Sequence, residues 1–259
     1  MTDPAPEIPP YPPVDPSETP VELPTRTLPI ERLGGFIEVF LCSGLPTQLL
    51  VFQLLTYFGM TSQAADGGWA PAFVVSMALI DMVLVLLLIG VFLRAHGEPL
   101  SEFVVGPRRP GREVLLGMTL IPAAFVQVIV VLAVILAIRP ALHNVDVNPF
   151  ERMLQTPRDA AIFAVVAMLA GGVREEVQRA FIVRRFDQYL GGALIGIVIY
   201  SIVFGLGHIE QGYAAAIATG SLGATWAIVY WRRQSIIAPL ISHAGFNLLQ
   251  LVKYVSFVR

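Results

Sequence analysis

Three short polar clusters interrupt the second half of an otherwise apolar chain: Glu175-Glu176-Val177-Gln178-Arg179, Phe204-Gly205-Leu206-Gly207-His208 and Ser242-His243-Ala244-Gly245-Phe246-Asn247. Two neighbouring carboxylates in a low dielectric resist double ionisation, whereas a guanidinium favours it. Opposed influences of this kind are how sites obtain a base usable near neutral pH. On a helix Glu175 and Arg179 are i,i+4, and Glu176 and Arg179 are i,i+3, so either acid can meet the guanidinium. Phe204 and His208 share a face one turn apart, as do His243 and Asn247, with small residues between the latter pair that admit a neighbouring helix. Each cluster alone has a plain structural reading: an ion-paired helix end, a hydrogen-bonded core histidine, a polar knot between helices. Together, an acid, a histidine and an amide donor can activate water and stabilise an oxyanion, which is the chemistry of hydrolysis.

The composition says where such a site would lie. Of 259 residues, 55% are hydrophobic and only 14% charged, against about 25% charged in soluble domains. The mean hydropathy is +0.69. These values predict an integral membrane protein, and the net charge of −2 gives no sign of the basic face or stripe that nucleic acid would need. Cys42 is the only cysteine, so neither an intrachain disulfide nor a Cys-rich metal site can form, and it reads as packing.

Residues 1–33 hold ten of the twenty prolines together with several acids, and read as a disordered or polyproline tail rather than a cleavable signal. A transmembrane helical domain is expected over 34–259. Apolar runs long enough to cross about 30 Å of hydrocarbon fall near 35–60, 71–93, 115–138, 160–183, 190–209, 212–231 and 235–256. The expected fold is therefore all-α, a polytopic transmembrane helix bundle of about seven spans. With that count, ten arginines collect on the side of the N-terminus and five basic residues on the other, which predicts a cytoplasmic N-terminus in a bacterial inner membrane.

Ionisable side chains at bilayer depth are costly unless paired or hydrated, so they mark function by default. Glu38 and Asp81, isolated acids in the first two spans, read mostly as structural. So do Arg139, His143 and Asp146, at or just beyond a helix end. The three later clusters lie on separate spans, and one shared buried site is the economical explanation for all of them. Other intramembrane chemistries lack their residues: no H-E-x-x-H occurs and no G-x-G-D. The nearest approach to a rhomboid-like serine, Thr219-Gly220-Ser221-Leu222-Gly223, has its serine directly after glycine.

The ordered clusters resemble the CAAX prenyl protease and bacteriocin-processing group of intramembrane proteases, also called the ABI family. That family carries E-E-x-x-x-R, F-x-x-x-H and H-x-x-x-N in this order. Phe204 to His208 and His243 to Asn247 fit the second and third motifs, and the likeness extends over about residues 150–250. The first motif is one residue short, with Ala180 where the family arginine is expected. Anchoring the acids turns Arg179 about 100° around the helix. Anchoring Arg179 instead puts Arg174 and Glu175 on the acid positions. Glu175 survives both alignments and is the preferred base, with Glu176 second.

The resemblance implies an intramembrane endopeptidase acting on a membrane-associated protein or peptide in contact with lipid. In it Glu175 and His208 activate water, His243 and Asn247 hold the oxyanion, Arg179 orients the glutamates and Phe204 packs beside the site. Two histidines and a carboxylate (His208, His243, Glu175) would also serve as zinc ligands. The metal-free reading is preferred, and zinc stays open at this point. A non-catalytic scaffold of the same fold and a small proton-coupled transporter are the alternatives.

Overall fold

Lipid offers the backbone no hydrogen-bond partner, so apolar segments satisfy themselves as helices. The computed structural model describes residues 28–257 apart from 66, 147, 151 and 152. Its elements are α1 (Pro29–Leu41), α2 (Leu45–Tyr57), α3 (Pro71–Ala95), α4 (Leu100–Val104), α5 (Pro110–Ile138), α6 (Pro157–Val166), a π-helical segment (Ala167–Arg174), α7 (Glu175–Tyr189), α8 (Ala193–Leu206), α9 (Tyr213–Arg233) and α10 (Ile237–Phe257). The all-α expectation holds: the only β pairing among the described residues is an isolated bridge between Gln63 and Trp69.

The count of seven spans is not reproduced. Among the described residues four helical stretches are long and apolar enough to cross a membrane: Pro29–Tyr57, Pro71–Ala95, Pro110–Ile138 and Tyr213–Arg233. Ala193–Leu206 and Ile237–Val252 are apolar but shorter, and the run from Pro157 to Tyr189 is broken in apolarity by its own arginines and glutamates. The tail expected over 1–33 lies, for residues 1–27, outside the described residues. Its last part is already helix, because Pro29 starts α1 and the Glu31 carboxylate accepts from the Leu28 N–H at 2.8 Å.

The first predicted span is two helices. Gly44 sits at φ 86°, a left-handed conformation that costs glycine nothing, and Pro46 opens α2. The break faces α7. Down this contact Gly35 lies against Tyr189, Glu38 pairs with Arg185, the Cys42 carbonyl meets Gln178 and Gly44 lies against Arg174, so α1 runs antiparallel to α7. Cys42 itself is fully buried in the main apolar cluster with Val85, Ile89, Phe181 and Ile197, as a packing residue should be.

Elsewhere α10 packs against α5 and the π segment, and α8 against α7 and α9. Outward faces are strongly apolar: Ile129 and Ile138 on α5 and Val198 and Ile202 on α8 are more than half exposed. A surface of this kind is solvated by lipid, not water. The chain is an integral membrane protein.

Candidate active site

The polar clusters on α7 and α10 meet where the π segment ends and α7 begins. Ala170-Gly171-Gly172 lets α10 approach closely: a Cβ on Gly172 would stand 2.7 Å from the Ala244 Cβ. π winding adds a residue to the turn and recurs at functional sites. It delivers Glu175 and Glu176 to α10 with a rotation that an uninterrupted α-helical period does not give.

Two charges are fully withdrawn from solvent here. Glu176 is 1% exposed and Arg179 0%, and they form an i,i+3 ion pair. Sequence left both acids available to Arg179; the structure joins it to Glu176. The Arg179 guanidinium carbon also lies 4.6 Å from the centre of the Phe204 ring, 5.3 Å from Tyr200 and 5.5 Å from Trp226. Ring faces attract a desolvated cation, so three aromatics from α8 and α9 offset part of its burial. Its Nε and Nη2 make no hydrogen bond among the described residues.

His243 stands between the two acids. Its Nδ1 is 2.6 Å from Glu176 Oε1 and its Nε2 is 3.8 Å from Glu175 Oε2. The ring is clamped against Trp226, with centroids 4.0 Å apart and planes within 17°, and the Trp226 Nε1–H donates to Ser242 Oγ at 3.0 Å. Glu175 differs from its neighbour: its side chain is 19% exposed, and its nearest ionic contact is His243.

The other expected site residues lie around this core. Asn247, one turn beyond His243, donates from Nδ2 to the Ala167 carbonyl at 3.2 Å, on the first residue of the π segment. Phe204 is buried, edge-on to His243 at 6.2 Å and to His208 at 4.9 Å. His208 lies just past the end of α8, with Nδ1 2.8 Å from the Phe204 carbonyl. Among the described residues no hydrogen bond or ion pair joins His208 to Glu175; the histidine neighbour of Glu175 is His243. No three His, Cys, Asp or Glu side chains among the described residues are grouped to hold a metal ion.

Residues 157–249 match the family described as Rce1-like, type II CAAX prenyl endopeptidase. Over this segment the chain is similar to that family. The segment contains all three polar clusters, in agreement with the resemblance drawn from the motifs. Comparison with curated proteins and with solved structures returns no match.

The structure adds residues that the sequence does not place at the site. Trp226 carries no polar signal and shares its helix with Tyr213, Tyr230 and Trp231, so nothing in the sequence singles it out. Asp81 and Glu38 are not isolated. Asp81 pairs with Arg174 at 2.6 Å and accepts from Thr47 Oγ1 at 2.5 Å, while Glu38 meets Arg185 at 2.5 Å and His96 at 2.6 Å. Arg139, His143 and Asp146 are exposed at the end of α5. Ser221 donates to the Ala218 carbonyl at 2.7 Å and accepts from Gln127 at 3.2 Å, a helix-packing role in keeping with the poor rhomboid fit.

Proposed function

We propose that the protein is an intramembrane endopeptidase that hydrolyses a peptide bond of a membrane-associated protein or peptide, with a water activated by Glu175. The single observation that carries this reading is the placement of His243, one ring nitrogen on a buried, arginine-paired glutamate and the other turned to a second, partly exposed glutamate. In the tautomer that donates from Nδ1 to Glu176, the imidazole orientation is fixed by that acid and Nε2 presents a lone pair on the Glu175 side. The 3.8 Å separation is too long for a direct hydrogen bond, and a water lying off the line can reach both groups.

Glu175 takes a proton from that water as its oxygen attacks the scissile carbonyl carbon. The tetrahedral oxyanion is held by N–H donors on its far side, for which His208 and the second Asn247 amide hydrogen are the candidates. Glu175 then returns the proton to the departing nitrogen as the C–N bond breaks. Arg179 and Glu176 stay paired throughout and act by holding His243. The similarity of residues 157–249 to the Rce1-like type II CAAX prenyl endopeptidase family favours a prenylated C-terminal CAAX peptide as the substrate. On the seven-span count, which the structure does not reproduce, the ten-to-five bias of basic residues favours a cytoplasmic N-terminus in a bacterial inner membrane.

The test uses purified protein in detergent and an internally quenched peptide ending in a prenylated CAAX sequence. Glu175→Ala, His208→Ala and His243→Ala are each expected to lose cleavage while keeping the elution profile of the folded protein. Cleavage retained in all three rejects the site, and no cleavage by the folded wild-type protein leaves a non-catalytic bundle of the same fold.

A further inference from the structure

The face of α7 that turns away from His243 is anchored as firmly as the face that carries Glu175. Arg174, the residue immediately before Glu175, is 8% exposed and donates from Nη2 to Asp81 Oδ2 at 2.6 Å. Asp81 is 4% exposed, and its other oxygen accepts from Thr47 Oγ1. One turn further along the same face, Gln178 donates to the Cys42 carbonyl at 2.6 Å and accepts from Tyr200 Oη at 3.2 Å. The break between α1 and α2 receives these groups. It removes Cβ at Gly44, where one would collide with the Arg174 guanidinium, and it presents the Cys42 carbonyl to Gln178.

Neighbouring residues of a helix point about 100° apart, so fixing Arg174 and Gln178 on one side fixes where Glu175, Glu176 and Arg179 point on the other. This matters more here than where a full first motif is present, because the one-residue deficit leaves the choice of acid undetermined by spacing. Cys42, Gly44, Thr47 and Asp81 all lie outside the segment that matches the family.

We propose that Asp81 is a positioning residue: through Arg174 it sets the rotation of α7, and so determines that Glu175 is the acid presented to His243 Nε2. What the rotation serves rests on the endopeptidase reading; the rotation itself does not.

Two measurements separate them. With the quenched prenylated peptide, Asp81→Asn is expected to lower kcat by about 100-fold at a KM within about twofold of wild type, the signature of misplaced groups rather than lost binding. Exchanging the charges (Asp81→Arg with Arg174→Asp) restores about tenfold or more of that loss. A purely structural pair would instead lower the melting temperature and leave kcat per folded molecule unchanged.

The second measurement needs no substrate. In a Cys42→Ala background, Glu175→Cys and Glu176→Cys are each combined with His243→Cys, and disulfide yields are compared with and without Asp81→Asn. The ratio of the two yields is expected to change by about threefold or more, as a turn of a few tens of degrees requires. Asp81→Glu, which retains the charge and moves the carboxylate by one methylene, replaces Asp81→Asn if the latter does not fold, with a ratio change in the same direction. Wild-type kcat or an unchanged disulfide ratio overturns the proposal. Undiminished cleavage by Glu175→Gln overturns Glu175 as the base, and no cleavage by the wild-type protein overturns the endopeptidase reading; either leaves the disulfide ratio to decide the rotation.

Discussion

Two buried charge clusters lie on α7, about three turns apart, and they are built differently. Near the C-terminal end of α7, Arg185 meets both Glu38 and Glu98 at 2.5 Å, Glu98 meets Arg184 at 2.5 Å, and Glu38 meets His96 at 2.6 Å. Each carboxylate there has two partners, Arg185 and His96 for Glu38 and Arg184 and Arg185 for Glu98. At the other end, Glu176 is held by Arg179 and His243, but Glu175 touches only the far nitrogen of His243, at 3.8 Å, and keeps some solvent contact. A fully paired cluster joins helices and has no group to spare. A cluster that leaves one carboxylate under-paired next to a histidine has a base available, and this difference makes the second one the candidate site.

The comparison can be broken by removing one member from each. His243→Ala takes away the group shared by both glutamates, and cleavage of the quenched peptide is expected to fall by about 1,000-fold or more. Arg185→Leu leaves Glu38 and Glu98 buried together without their common cation, and should cost about 3–5 kcal/mol of stability in thermal unfolding. Its cleavage per folded molecule should fall by less than about tenfold, since the contact between α7 and α10 is untouched. The reverse outcome, loss of activity for Arg185→Leu and loss of stability alone for His243→Ala, would exchange the two assignments.

Smaller changes sharpen the same contrast. Gly172→Ala places a methyl group 2.7 Å from the Ala244 Cβ. Helix backbone cannot yield as a long side chain does, so an overpacking cost of about 1–3 kcal/mol should accompany reduced activity as α10 is pushed from the acids. At the paired end, His96 has a side chain 35% exposed, and His96→Gln should shift stability by about 1 kcal/mol or less with no change in cleavage.

Much of this architecture was legible because hydropathy is a strong signal over long segments. The runs at 71–93, 115–138 and 212–231 correspond to α3, α5 and α9. The split between α1 and α2 was also signalled, by Gly44 and Pro46, but was overridden by the apolarity around them. Polar violations located the clusters on α7 and α10, since charged groups in lipid must find one another. Which acid meets Arg179 was not readable, because i,i+3 and i,i+4 partners are equivalent on an ideal helix, and the π segment before Glu175 has no sequence period of its own. Trp226 escaped notice because an aromatic in an apolar span violates nothing. Asp81 was read as isolated because its partner lies 93 positions away.

The central claim is that Glu175, not Glu176, carries the proton in hydrolysis. It is tested most directly by measuring kcat and melting temperature for Glu175→Gln and Glu176→Gln side by side on purified protein with the quenched prenylated peptide. Glu175→Gln should lose about 100-fold or more in kcat with an unchanged melting temperature, while Glu176→Gln, which unpairs a fully buried arginine, should melt earlier. Wild-type turnover by Glu175→Gln would contradict the account.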